Sequence, residues 1–108
     1  MSAAAGNPDP WLARHVAMIR AAADLIEQAG IPGLAVHPGP DEITVQVPES
    51  GGLACRAAKA ARLAGLAGTI PQPDPRPGIT FGWLRARGQF AGHPVHVFAP
   101  VRPEEAPS

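Results

Sequence analysis

The chain has 108 residues, nine basic and nine acidic side chains, and a hydrophobic fraction of 45%, which together indicate one globular domain and not a disordered polyelectrolyte. The balanced charge argues against strong nonspecific binding to polyanions, and a single cysteine rules out an internal disulfide or a cysteine-based zinc site within one chain. Because no apolar stretch approaches the ~20 residues that span a bilayer, and no secretory signal pattern follows Met1, we expect a cytoplasmic protein.

The first predicted element is a helix over residues 10–29. Asp9 followed by Pro10 is typical of a helix N-cap and first helical residue, and Gly30 with Pro32 is typical of a helix end. Apolar residues recur at steps of four, three, four and three, which is helical spacing and predicts the packed side of the helix. This stripe consists of Leu12, Val16, Ile19, Ala23 and Ile26, and the apolar arc around it is widened by Trp11, Met18, Leu25 and Ala29.

Two short strands are predicted after this helix, over residues 33–37 and 42–47, joined by a Pro-Gly-Pro-Asp turn. Apolar and polar residues alternate along the second strand from Ile43 to Val47, so one of its faces is expected to be buried. The strands therefore predict a small sheet against which the first helix can pack.

A second helix is predicted over residues 51–67, with Ser50 as its N-cap. Its apolar face is rich in alanine, which lets a helix axis lie close to a sheet. A basic stripe of Arg56, Lys59 and Arg62 lies elsewhere on this helix, and its simplest explanation is a solvated surface.

A connector and a hairpin complete the chain. Residues 68–78 have proline at alternate positions, which excludes a regular helix or central strand and predicts a stiff, extended segment. Strands are predicted over 79–90 and 93–100, with a two-residue turn at Ala91 and Gly92. This register predicts five cross-strand pairs: Phe90 with His93, Gly88 with Val95, Arg87 with His96, Ala86 with Val97, and Arg85 with Phe98.

The predicted hairpin sorts its side chains onto two faces. The side expected to face the helices holds Leu84, Ala86, Val95, Val97 and Ala99. The opposite side, which we name the aromatic–basic face, is expected to hold Phe81, Trp83, Arg85, Arg87, His96 and Phe98. A slip of one strand by one residue would mix the two sets, so the sorting supports this register.

The element order α-β-β-α-β-β predicts a two-layer α+β domain, with a four-stranded, mainly antiparallel sheet and both helices on one face. We expect this domain over residues 9–101, between a disordered segment over 1–8 and a flexible tail over 102–108. Much of the hydrophobic fraction is alanine, which predicts a thin core, so a partner subunit that covers part of the surface would be unsurprising.

The second half of the chain, roughly residues 42–101, also carries a resemblance. Its features are an Ala-rich helix that ends in Leu66-Ala67-Gly68, a Pro-rich link, and a hairpin of the form Gly88-x-x-x-Gly92-x-Pro94-Val95-x-Val97. In these features it resembles a loosely defined set of small uncharacterised proteins from actinobacteria and their phages. The resemblance implies the same α+β arrangement, and it implies no functional residue because that set has no assigned activity.

Three other motifs have simpler explanations than chemistry. His93 and His96 lie three apart on a strand, so their imidazoles point to opposite faces and cannot chelate one metal ion. Cys55 has no identifiable orienting histidine and is expected to be a small half-buried residue, not a nucleophile. The Ser-Gly-Gly run at 50–52 lacks the spacing of a phosphate-binding loop. We therefore predict a protein that is not an enzyme, with no catalytic residue, no metal site and no cofactor.

The aromatic–basic face is the most informative feature, because contiguous exposed aromatic residues mark a surface that is covered or that binds something. Three explanations remain open: the chain's own termini cover it, another protein or a second copy covers it, or it stacks single-stranded bases while arginines bind phosphates. The second explanation predicts a small non-enzymatic protein-interaction module, homo-oligomeric or adaptor-type, and is the function we expect. A weak single-stranded nucleic-acid binder is the alternative, and an uncharacterised small enzyme is the third; no membrane partner is expected.

Overall fold

The structure is a computed structural model that describes residues 9–74, 82–102 and 105. Two helices and five strands follow one another in these parts of the chain, which confirms the predicted α+β class. They are α1 (Pro10–Ala29), β1 (Ala35–Pro38), β2 (Ile43–Gln46), α2 (Leu53–Leu66), β3 (Gln72–Asp74), β4 (Gly82–Phe90) and β5 (His93–Val101).

The strands form one sheet in the order β1-β2-β5-β4-β3. Every neighbouring pair is antiparallel except β2 and β5, which run parallel. The prediction of a mainly antiparallel sheet is thus confirmed, but the predicted number of four strands is wrong, because β3 lies within the segment expected to be only a connector. Pro73 is compatible with β3 because this edge strand pairs only with β4, so the N–H that proline lacks is not needed on the free side.

Helix α1 has the predicted bounds, and its packed side differs from the prediction. Asp9 caps the helix by accepting a hydrogen bond of 2.9 Å from the backbone N–H of Trp11, and Gly30 ends it with a left-handed φ of 65°. Leu12 and Ile19 of the predicted stripe are 60% and 44% exposed. Three buried residues belong to one edge of the predicted arc, and Ala21 and Ala22 lie outside it; the buried set is Met18, Ala21, Ala22, Leu25 and Ala29. Three of these are alanines, which allow a closer approach to the sheet than the larger stripe residues would.

Helix α2 begins two residues later than predicted, at Leu53. Its N-cap is Gly52 and makes no side-chain hydrogen bond, so the predicted cap by Ser50 is wrong. The reason lies at Gly51, whose φ of 82° is a left-handed conformation that turns the chain between Ser50 and the helix.

Both helices pack against one face of the sheet and share one core. Helix α2 lies over β4 and β5, whereas α1 lies over β1 and contacts α2. The sheet residues buried beneath them alternate along β2, β4 and β5; they and the adjoining Val47 make up the set Ile43, Val45, Val47, Ala86, Val95, Val97 and Ala99. In the described part of the chain, the other face of the sheet carries no helix.

The β4–β5 hairpin has the predicted register, and all five predicted cross-strand pairs are present. The turn residues Ala91 and Gly92 have φ values of 52° and 81°, as a two-residue type I′ turn requires. Val95 and Val97 are each 1% exposed, which confirms the predicted sorting of side chains. Residues 79–81 of the predicted first strand lie outside the described residues.

Arg56 of α2 is completely buried, so the prediction of a solvated basic stripe is wrong at this position. Its Nε donates a hydrogen bond of 3.0 Å to the carbonyl oxygen of Pro100 in β5. One terminal nitrogen donates to the carbonyl oxygens of Glu49, at 3.4 Å, and of Gly51. The other contacts Oε1 of Glu105, which lies in the segment expected to be a flexible tail. The buried guanidinium thus has the anionic partner and the acceptors that burial of a charge requires.

The carboxylate of Glu105 is expected to make part of the stability depend on pH. The backbone N–H of Arg102 donates to its Oε1 at 3.0 Å, and this bond, with the nearby charge of Arg56, lowers the pKa of Glu105 against the opposing effect of burial. Because the folded-state pKa is depressed, the contribution is present above about pH 4.5 and is lost as the pH falls through the folded-state value. Glu105→Gln should therefore flatten the acid-side fall in the free energy of unfolding, measured by urea denaturation at several pH values. An acid-side fall as steep in the variant as in the parent would contradict this.

Candidate functional site

The aromatic–basic face lies on the side of the sheet opposite the two described helices. Five of its six predicted residues lie there side by side: Trp83, Arg85 and Arg87 from β4, and His96 and Phe98 from β5. Their placement follows from strand geometry, because alternate residues point to one face and cross-strand partners share that face. Phe81 lies outside the described residues.

Three rings on this face form a continuous row. The Trp83 and Phe98 ring centroids are 5.3 Å apart and the rings meet edge to face at 82°. The His96 ring is 5.4 Å from that of Phe98 at a tilt of 50°. Phe98 is therefore the centre of the row, and edge-to-face contacts of this kind contribute about 0.5–1.5 kcal/mol beyond the area they bury.

Most side chains of this face are partly or largely buried, although no described helix packs on them. His96 is only 8% exposed, and Trp83, Arg85 and Phe98 are half-buried, whereas Arg87 is exposed. The ring contacts of Phe98 with Trp83 and His96 give the face an apolar centre.

The surface continues across β2 and β1. The parallel pairing of β2 with β5 sets Thr44 beside His96 and Gln46 beside Phe98, and His37 of β1 lies beside Thr44. Alternation along β2 indicates which side of the sheet Thr44 and Gln46 occupy. Their position beside the aromatic row was not predicted, because the pairing of β2 with β5 was not predicted. The polar residues of β2 therefore border the aromatic row on one side.

Glu42, at the start of β2, supplies negative charge to the basic end of the face. Its Oε2 lies 3.8 Å from the nearest guanidinium nitrogen of Arg87, and its Oε1 lies 4.0 Å from Nδ1 of His96. The position of Glu42 beside the face was not predicted from the sequence. One carboxylate beside Arg87 and His96 offsets much of the positive charge that the sequence alone indicates.

An open depression of about 500 Å³ adjoins the same end of the sheet. It lies between the β1–β2 turn and Pro94, and its lining includes His37, Glu42 and Thr44. The depression gives the face one concave border.

The other motifs from the sequence lie away from this face. Cys55 is an exposed residue of α2, not the half-buried residue expected. The carbonyl oxygen of Gly51 accepts a hydrogen bond from Arg56, so the Ser-Gly-Gly run is held by a cation of the protein itself. The described residues contain no group of three or more His, Cys, Asp or Glu side chains placed to hold a metal ion.

No protein-family model, no curated protein and no solved structure matches this chain. Within the described ranges, no helix has the length and apolarity needed to cross a membrane. The chemistry of the face is therefore the basis on which a function can be proposed.

Proposed function

We propose that this chain is a small, non-enzymatic protein-interaction module, homo-oligomeric or adaptor-type, that binds protein through the aromatic–basic face. The observation that carries the proposal is the row of Trp83, Phe98 and His96 on the side of the sheet opposite α1 and α2. The proposal includes a cytoplasmic location, which is consistent with a single cysteine that has no partner for a disulfide within the chain.

The composition of the face supports protein as the ligand. Tryptophan, phenylalanine and arginine are enriched at the centres of protein interfaces, and a few such residues carry most of the binding energy. Trp83 is the natural anchor because indole buries a large rigid area at a small cost in conformational entropy. The polar border formed by Thr44 and Gln46 corresponds to the polar rim of such interfaces.

The electrostatics and ring geometry favour protein over single-stranded nucleic acid. Nucleic-acid binding needs cations free to contact phosphates and aromatic faces free to stack on bases. Here Glu42 lies beside Arg87, Trp83 and Phe98 meet edge to face, and His96 is almost fully buried. The face is thus closer to charge balance than a polyanion site would be.

Trp83→Ala is expected to weaken binding by about 2 kcal/mol or more, about 30-fold in Kd, because it removes the anchor of the interface. Affinity capture from the cells that make this chain, quantified for parent and variant, measures the effect on the binding of other proteins. Trp11→Ala is the matched control, since Trp11 is 64% exposed and lies on α1, on the other side of the sheet. Equal binding by the two variants would remove Trp83 as the anchor.

A titration with labelled oligo-dT and oligo-U at two salt concentrations tests the alternative function. We expect no binding at tens of micromolar protein in low salt. Binding that Arg85→Ala and Arg87→Ala each weaken, with the salt dependence reduced by about one phosphate contact per variant, would replace the protein-binding proposal with a nucleic-acid one.

A further inference from the structure

Helix α1 carries a second apolar surface, which the fold leaves largely uncovered. Leu12 and Ile19 are 60% and 44% exposed, Ala23 is exposed, and Val16 and Ile26 are half-buried. The domain core is packed against a different side of this helix. We name these five residues the α1 stripe.

The spacing of the α1 stripe identifies the kind of partner that fits it. Steps of four, three, four and three place its residues at the a and d positions of two successive heptads, which is the seam of a left-handed coiled coil. Such a seam is covered by another helix with the same repeat. Of the two described helices, α2 uses its apolar residues in the core, at Ala60, Leu63 and Ala64, which leaves α1 itself as the helix with a free seam.

The charges of α1 favour a second copy in the antiparallel orientation. Arg20 and Glu27 lie at the same heptad position beside the α1 stripe, seven residues apart. An antiparallel pair sets Arg20 of each helix beside Glu27 of the other and opposes the two helix dipoles. In a parallel pair Arg20 would lie beside His15 and Glu27 beside Ala22, so this pairing would be absent.

Side-chain sizes agree with the same orientation. In antiparallel coiled coils an a position of one helix packs in a layer with a d position of the other. Alignment about position 21 puts Ile19 of one copy opposite Ala23 of the other, and Val16 opposite Ile26. Each isoleucine then lies opposite a smaller residue, which favours close packing across the seam.

We infer that two copies of this chain associate through an antiparallel coiled-coil contact between the α1 stripes of their α1 helices. The contact is short, because α1 of 20 residues spans about 30 Å. A dissociation constant on the order of micromolar is therefore expected, as for other small interfaces. The inference does not depend on the proposed function of the aromatic–basic face.

Sedimentation equilibrium over a range of protein concentrations tests the dimer. Ile19→Glu should raise the dimer Kd by about 100-fold or more, because it buries an unpaired carboxylate in the seam. Ala17→Glu is the matched control: it adds the same charge to the same helix at an exposed position outside the stripe, and it should leave Kd within about threefold of the parent. Circular dichroism should show both variants folded. A parent that stays monomeric up to ~1 mM, or an equal loss in both variants, would overturn the inference.

Spin-label distances test the orientation. A nitroxide label is attached at position 13 by Ala13→Cys in a Cys55→Ala background. In an antiparallel dimer the two labels are offset along the helix axis by roughly 16 residues at 1.5 Å each. The distance between them should therefore be at least about 24 Å. Labels at about the 10 Å of adjacent helices would show a parallel pair and overturn the antiparallel assignment.

Trp83→Ala separates this inference from the proposed function. The substitution should leave the dimer Kd unchanged, because Trp83 lies on the opposite side of the sheet from α1. If Trp83→Ala abolishes the dimer while Ile19→Glu does not, the aromatic–basic face is the self-association surface, so the inference fails and the proposed function stands. If Ile19→Glu alone abolishes it, the inference stands whatever the aromatic–basic face binds.

Discussion

Replacing Arg56 with alanine is expected to lower the free energy of unfolding by about 3 kcal/mol or more. The guanidinium is completely buried and donates to carbonyl oxygens of Pro100, Gly51 and Glu49 and to the carboxylate of Glu105. Its removal leaves these acceptors without their donor, and breaking a buried ion pair from one side typically costs about 3–5 kcal/mol. The cavity left by the side chain adds to the loss.

Urea denaturation of Arg56→Ala beside two other variants isolates the cause. Arg62 is an exposed residue of the same helix that donates to the carbonyl oxygens of Ala29 and, at 3.2 Å, of Gln28, so Arg62→Ala should cost only about 1 kcal/mol. Arg56→Met retains most of the volume but no donor, and it should be nearly as destabilising as Arg56→Ala. A loss below about 1 kcal/mol for Arg56→Ala would show that the buried contacts do not hold the fold together.

Gly88→Ala is expected to destabilise the protein by about 2–3 kcal/mol or more, because α2 and β4 meet there backbone to backbone. The carbonyl oxygen of Ala67, directly after α2, accepts a hydrogen bond of 3.0 Å from the backbone N–H of Gln89. A Cβ on residue 88 would overlap that oxygen and would come within 3.0 Å of the Ala67 carbonyl carbon. The obstacle is backbone and has no rotamer to change, so α2 or β4 would have to move.

Gly65→Ala is the matched control for this substitution. Gly65 lies within α2, and a Cβ there would have no atom within 4 Å. The same change should therefore stabilise the protein by about 0.5–1 kcal/mol, because alanine has the higher helix propensity. Thermal unfolding of both variants should show melting temperatures that move in opposite directions. A Gly88→Ala variant as stable as the parent would contradict the close contact of α2 and β4.

The hairpin was predictable because local signals determine it. The pair Ala91 and Gly92 supplies the two positive φ values of the turn, and the turn fixes the register of both strands. Side chains alternate with a period of two along β4 and β5, so a fixed register also fixes the face of each residue. The five described residues of the aromatic–basic face follow from these two facts.

The features that escaped prediction depend on contacts distant in the sequence. The parallel pairing of β2 with β5 brings Glu42 and Thr44 to the face, and no local pattern encodes strand order. The short strand β3 forms because β4 offers a free edge for pairing. It does so although the central residue of β3 is Pro73. The charge of Arg56 predicts exposure, whereas acceptors from β5 and from Glu105 allow it to be buried.

The packed side of α1 illustrates the same limit within a single helix. Periodicity identified Met18, Leu25 and Ala29 of the buried set, but the core packs against these together with Ala21 and Ala22, which lie outside the predicted arc, and not against the centre of the arc. The centre of the arc stays exposed at Leu12 and Ile19. The domain core does not use this regular apolar stripe. The proposed α1 contact accounts for its presence on the surface.

A dimer formed through α1 would present two aromatic–basic faces. Each sheet carries its face on the side opposite the helices, so both faces would remain free to bind another protein. Two linked sites raise the effective affinity for a partner that has two binding segments, provided that the geometry allows both to be occupied together. This arrangement is that of an adaptor.

Hydroxyl-radical labelling tests directly whether the aromatic–basic face binds protein. The oxidation rates of Trp83 and Trp11 would be compared between the cells that make this chain and the dilute purified protein. We expect Trp83 to be oxidised several-fold more slowly in the cells, because a bound protein covers it, while Trp11, 64% exposed on α1, keeps its rate. Equal oxidation of Trp83 in the two settings, with Trp11 unchanged, would contradict the proposed function.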